Sequence, residues 1–140
     1  MDNTFILDAS VAVKWFNQKD EDLVSNSKNI FTNLLTGEIN IIIPELLILE
    51  VINALIRGKK IGIKESDKIS LELFSYPWTI EPLSSSLMQE TIKISTEYGL
   101  TIYDALYMAL AIEKDMKLIS HDIKGHFDKF KKYSISLENF

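Results

Sequence analysis

A chain of 140 residues that is 46% hydrophobic and 25% charged has the composition of a globular protein, and a single domain over residues 1–140, burying ~68–70% of its unfolded surface, is expected. The absence of cysteine excludes disulfides, thiolate zinc sites and cysteine nucleophiles. The formal net charge of −5 argues against indiscriminate binding to polyanions, although divalent cations held by acidic residues would change that balance locally.

Thr4-Phe-Ile-Leu7 is a short β-type apolar run ending at Asp8 and reads as a buried strand. Ser10–Phe16 reads as a short helix and Asp20–Leu35 as a second, with Val24, Ile30, Phe31, Leu34 and Leu35 as its apolar stripe and Gly37 as its stop. Asn40–Ile43 is the second strand. Pro44 opens the next helix at its first position, where a missing N–H costs nothing, and that helix runs to Arg57 and ends at Gly58. The stretch 57–63, Arg-Gly-Lys-Lys-Ile-Gly-Ile, has the composition of a mobile loop. Lys64–Phe74 is helical, and Trp78–Leu83 is a short strand that Pro82 marks as an edge. Ser84–Tyr98 is a helix closed by Gly99, and Tyr103–Lys114 is another. Lys117–Ser120 is a strand, Gly125–Lys131 a helical turn, and Tyr133–Leu137 a last strand. Strands alternating with helices, several of the strands uniformly apolar, predict an α/β/α sandwich around a central, mostly parallel sheet of about five short strands.

Four carboxylates stand beside apolar sequence. Asp104 is the only charged side chain in Gly99–Ile112, and an unpaired buried ion there would be expensive. Glu50 and Asn53 are the only polar residues in Leu46–Ile56; they are three apart, on one helix face, in a helix apolar nearly all round and therefore expected to be buried. Asp8 directly follows the first strand, and Asp122 lies two residues after the strand Lys117–Ser120. Both emerge at the carboxyl edge of a parallel sheet, where ligands of open α/β sheets bind. Three of the acids also have a plainer role open to them: Asp8 as a helix N-cap, Asp104 in a Thr101-x-x-Asp104 capping box, Asp122 as a turn residue; Glu50 is the hardest to explain that way. Together the four suggest a shared site for divalent metal.

Other groupings carry less. Ser120-His121-Asp122 holds the residue types of a hydrolytic triad, but triads are assembled from distant segments. His121 and His126 are five apart, which is a thin basis for zinc. Trp15, Phe16, Tyr103 and Tyr107 read first as core or groove wall, and no Gly-rich phosphate loop is present. The cations gather in two places, Arg57, Lys59, Lys60 and Lys64, and Lys124, Lys129, Lys131 and Lys132, whose plainer reading is solvated surface.

Phe5-Ile-Leu-Asp8-Ala-Ser10-Val-Ala-Val-Lys14-Trp-Phe16 resembles the start of the PIN-domain ribonucleases, especially VapC-type toxins of prokaryotic toxin–antitoxin systems. Glu50-Val-Ile-Asn53, Thr101-Ile-Tyr-Asp104 and Leu118-Ile-Ser-His-Asp122 resemble their later acidic motifs, in family order over essentially the whole chain. His121 departs from the small residue common before the last acid. The resemblance implies a PIN-like fold, a site for one or two Mg²⁺ or Mn²⁺ ions on Asp8, Glu50, Asp104 and Asp122, and endonucleolytic cleavage of RNA. Ser10 and Asn53 match positions that support the acids. Lys14, Arg57, Lys59 and Lys60 are expected to guide RNA. A homodimer and a cognate antitoxin are the implied partners.

A cytoplasmic location with no membrane contact is expected, because the start Met-Asp-Asn-Thr has no basic leader and no apolar run approaches the ~18–20 residues of a membrane span. Two other classes fit parts of the pattern. A non-catalytic PIN-like module would bind RNA or protein without cutting. A phosphotransfer domain, receiver or phosphatase-like, also places an Asp after its first strand beside Mg²⁺, but Ser10 stands where the phosphatase pattern has a second Asp.

Overall fold

The computed structural model describes residues 3–121, 123 and 127–140. Five short strands form one sheet: β1 (Thr4–Leu7), β2 (Asn40–Pro44), β3 (Thr79–Glu81), β4 (Lys117–Ser120) and β5 (Ser134–Ser136). Their order is β3-β2-β1-β4-β5, and every neighbouring pair is parallel. The helices α1 (Ala9–Ala12), α2 (Val24–Thr36), α3 (Glu45–Arg57), α4 (Ile63–Ser75), α5 (Ser85–Tyr98) and α6 (Ile102–Lys114) flank it in an α/β/α sandwich. Parallel strands buried on both faces need apolar side chains in both directions. Accordingly Ile6, Leu7, Ile41, Ile43, Leu118 and Ile119 are almost fully buried. Among the described residues no helix is long and apolar enough to cross a membrane.

The order matters for function. The chain adds β2 and β3 on one side of β1, then returns to place β4 and β5 on the other. The switch point is therefore the gap between the carboxyl ends of β1 and β4, where a crevice forms. Register is fixed there by Ile6 opposite Leu118 and Leu7 opposite Ile119.

Several boundaries differ from expectation, each for a local reason. The second helix begins at Val24 and not Asp20, because Asp20 (φ 60) and Leu23 (φ 51) both take the left-handed conformation and break any helix through them. The first helix is α-helical only to Ala12 and tightens into a 3₁₀ turn, Val13–Trp15. Pro44 is the N-cap of α3, extended at ψ 156 and still pairing with Glu81 as the end of β2, so it is not the first helical residue. Strand β3 lies at the edge, as Pro82 suggested, but spans only Thr79–Glu81. The turn expected at Gly125–Lys131 lies partly outside the described residues; within them Asp128–Tyr133 is 3₁₀. The loop after α3 is tied back: Lys59 N–H donates to Ala54 O and Ile61 N–H to Leu55 O.

The aromatics form a core layer of their own. Trp15 packs on Phe31 (centroids 4.8 Å apart), Tyr76 (6.2 Å) and Trp78 (5.9 Å), with its indole N–H bonded to Ser27 O at 2.9 Å.

Candidate metal centre at the carboxyl edge of the sheet

Asp8 sits at the switch point. Its N–H donates to Ile119 O at 3.0 Å, carrying the β1–β4 ladder one residue past the strand. It is the N-cap residue of α1, yet its side chain makes no capping hydrogen bond. Its Oδ2 instead accepts the hydroxyls of Ser10 (2.9 Å) and Ser120 (2.8 Å). Ser10 Oγ in turn accepts the N–H of His121 at 3.3 Å, so β1, α1 and the end of β4 are stitched together around one carboxylate.

Glu50 lies in the second turn of α3. Its Oε1 accepts the hydroxyl of Tyr107, from α6, at 2.6 Å. Tyr107 is fully buried. Burial, then the negative charges of Asp8 and Glu50, push its hydroxyl far above the ordinary tyrosine range, so it stays a protonated donor. Asp104 occupies the first turn of α6, where the helix end favours an anion. Thr101 caps that helix by accepting the Asp104 N–H at 3.1 Å.

These three acids act on one another. Burial raises the carboxyl of Asp8 above its ordinary value, and the charge of Asp104 raises it further, against the lowering effect of Ser120, Ser10 and the Ala9 N–H. Burial also raises Glu50, the Tyr107 hydroxyl opposes it, and Asp8 and Asp104 reinforce it. Carboxylates drawn from water and set against like charge are poised for a cation. The donor set is hard oxygen, which suits Mg²⁺ or Mn²⁺ and not a thiolate or imidazole metal. Among the described residues, no three Asp, Glu or His side chains already stand as a closed cage. Among the described residues, Asp8, Glu50 and Asp104 act on one another through their charges. Asp122 lies outside the described residues, as does His126.

Other expected residues fall elsewhere. Asn53 does not join the acids: it is exposed and lines a groove with Leu49, Ile52, Ile56 and Phe74. Helix α3 is not buried all round, with Leu49 69% exposed, so the polar pair at Glu50 and Asn53 splits between the site and solvent. Lys14 is not available to RNA. It is 0% exposed, with Nζ 2.8 Å from Glu21 Oε1 and 3.7 Å from Asp22 Oδ1. Lys59 is bound to the same Glu21, at 2.9 Å from Oε2, and to the carbonyl of Lys19. Arg57 and Lys60 are exposed. Tyr103 is 59% exposed and lines an apolar groove between α3, α5 and α6.

Two residues that hold the acids, Ser120 and Tyr107, were named in the sequence but not for that role. Ser120 had a usable signal, a hydroxyl two residues before an acid at a strand end. Tyr107 had none, because a tyrosine in an apolar helix does not reveal which buried carboxylate it will meet.

Residues 5–133 match the model of a family described as the PIN domain. Solved structures of similar fold include a toxin–antitoxin complex from Klebsiella pneumoniae (16% identity, 95% of this chain and 97% of that chain, TM-score 0.70). Another is VapC20 from Mycobacterium tuberculosis, a sarcin–ricin loop cleaving toxin (12% identity, 89% and 93% covered, TM-score 0.70). A third is VapBC2 from Rickettsia felis bound to a DNA fragment from its promoter (19% identity, 95% and 98% covered, TM-score 0.67). At these identities the likeness is one of fold. No curated protein sequence matches the chain.

Proposed function

The chain belongs to the PIN domain family, and on that premise we propose that it is a divalent-metal-dependent endoribonuclease, the toxin of a cytoplasmic toxin–antitoxin pair. The observation that carries this reading is the convergence of Asp8, Glu50 and Asp104 from β1, α3 and α6 into one mutually repelling group at the switch point of the sheet. The hydroxyls of Ser10 and Ser120 grip Asp8, that of Tyr107 grips Glu50, and the charge of Asp104 raises both carboxyls, which is the environment of a cation site.

Asp8, Glu50 and Asp104, joined by Asp122 on its sequence position, would hold Mg²⁺ or Mn²⁺. Such an ion, when bound, lowers the pKa of an attacking water and neutralises charge gathering on the scissile phosphodiester. The chain's own work is positioning. Ser10 and Ser120 fix the rotation of the Asp8 carboxylate by gripping Oδ2, and Tyr107 fixes Glu50 through Oε1. Arg57, the last residue of α3, and Lys60, in the loop that follows, are exposed and would take the RNA backbone. The similar folds among toxin–antitoxin complexes support a cognate antitoxin. The exposed apolar side chains Leu49, Ile102 and Tyr103 support an assembled, homodimeric state.

The test is cleavage of a structured RNA by purified chain, with Mn²⁺ or with EDTA, beside Asp8→Asn made identically. Cleavage should require the metal and fall by at least ~100-fold in the variant, since losing a mere supporting partner of a metal ligand already costs ~10–100-fold. Metal-independent cutting, or equal cutting by the variant, would remove the site from the reaction.

A further inference from the structure

The loop between the 3₁₀ turn at Val13–Trp15 and α2 holds a second cluster of charge, and it touches the acidic site. Glu21 bridges two lysines from different parts of the chain: Lys14, beside α1, and Lys59, in the loop after α3. Its neighbour Asp22 has Oδ1 3.7 Å from Lys14 Nζ and 3.2 Å from His121 Nε2. His121 donates its N–H to Ser10, and Ser10 donates to Asp8. An unbroken run of polar contacts thus leads from Glu21 to the Asp8 carboxylate.

The loop is held in a conformation it would not choose. Glu21 and Asp22 are bracketed by Asp20 (φ 60) and Leu23 (φ 51), both in the left-handed region, and for a bulky residue such as Leu that is a true outlier. Such a backbone persists only where its surroundings over-determine it. Here Gln18 Nε2 donates to Lys14 O at 2.6 Å, Glu21 N–H to Gln18 O at 3.1 Å, and Lys59 to Lys19 O. Burying Lys14 completely is tolerable only because Glu21 meets it. All of this structure converges on placing Asp22 against His121, the residue that precedes Asp122 in the chain.

We propose that Glu21 is a positioning residue of the metal centre: it clamps the 17–23 loop so that Asp22 braces His121, and through His121 fixes Ser10 and the end of β4 at the site. This rests on the metal-dependent reading above and names a regulator of that site's geometry. It makes Asp22, which is largely exposed, functionally important for a reason unrelated to stability.

The experiment compares wild type, Glu21→Gln and Asp22→Asn by isothermal titration calorimetry with Mn²⁺, by the Mn²⁺ dependence of RNA cleavage, and by melting temperature in EDTA. Asp22→Asn is expected to weaken Mn²⁺ binding and to raise the half-saturating Mn²⁺ by about 10-fold while leaving the melting temperature within a degree or two. Glu21→Gln is expected to shift Mn²⁺ binding in the same direction and to lower the melting temperature as well. If both variants bind and use Mn²⁺ as wild type does, the clamp is only structural and the inference is overturned, whatever happens to stability. If Glu21→Gln does not fold, Asp22→Asn alone decides. A wild type that neither binds Mn²⁺ nor cuts overturns the functional reading and this inference with it.

Discussion

Asp8 and Glu21 are both carboxylates drawn partly out of water, and the loop that follows α1 brings them into one network, but their surroundings have opposite sign. Around Asp8 stand Asp104 and Glu50, and the carboxyl is raised by burial and like charge. Around Glu21 stand Lys14 and Lys59. Burial by itself would raise its carboxyl, yet the hydrogen bonds and charges of the two lysines outweigh burial and hold it below the ordinary value. Burial does not therefore say whether an acid is structural or functional. The sign of what surrounds it does. A carboxylate met by cations has its partner already, whereas one met by carboxylates is a standing demand for a cation.

The contrast is most open to attack at Glu21. Glu21→Leu strands the fully buried Lys14 with only the exposed Asp22, so unfolding in urea should show a loss toward the lower end of ~3–5 kcal/mol. Lys14→Met leaves Glu21 with Lys59 and replaces an apolar stem by another, and should cost about 1 kcal/mol. Equal losses would mean that the pair, and not the buried lysine, sets the energy.

A smaller effect concerns pH. Asp8 and Glu50 have folded-state values above their ordinary 3.8 and 4.5, so the native state holds protons more tightly than the unfolded chain. Without metal, stability should therefore fall as pH rises above those values through the raised ones. Glu21 has the opposite sign: its contribution is present above 4.5 and is lost as pH falls through its lowered value. Urea unfolding in EDTA across this range should show Asp8→Asn flattening the fall on the alkaline side and a Glu21 variant flattening the acid limb. Addition of Mn²⁺ should cancel the alkaline fall in wild type, by about 2.7 kcal/mol at a hundred times the dissociation constant, and should not do so in Asp8→Asn. A wild-type profile that rises steadily with pH without metal would contradict the account of the acidic edge.

The same contrast explains what could be read in the chain. The sheet and its helices were legible because the central strand runs are apolar and because Gly37 and Gly99 close helices and Pro44 ends a strand. Asp8, Glu50 and Asp104 were legible as single charges in apolar sequence. Asn53 misled because residues three apart are about 60° apart round a helix: enough to put Glu50 against Tyr107 and Asn53 in solvent when the helix lies at a surface. Lys14 misled because a lysine gives no sign in sequence of whether its ammonium reaches water. The clamp was illegible for a related reason. Gln18-Lys-Asp-Glu21-Asp22 has the composition of any solvated loop, and only the return of Lys59 and Lys14 to one glutamate makes it a structure.

Cations outside the clamp supply the smallest test. Arg57 and Lys60 are exposed and near Lys59 in sequence, while Lys59 is already bound to Glu21 and Lys19. A cation that contacts phosphate releases counterions, and its loss lowers the slope of log affinity against log salt by ~0.7–0.9. RNA binding by Arg57→Ala and Lys60→Ala, in an Asp8→Asn background to prevent cutting, should show that reduction. Lys59→Ala should leave the slope unchanged, because its charge faces a carboxylate and not the RNA. A slope that drops equally for Lys59 would mean that the ion pair opens when RNA arrives, and that the clamp is loosened by substrate.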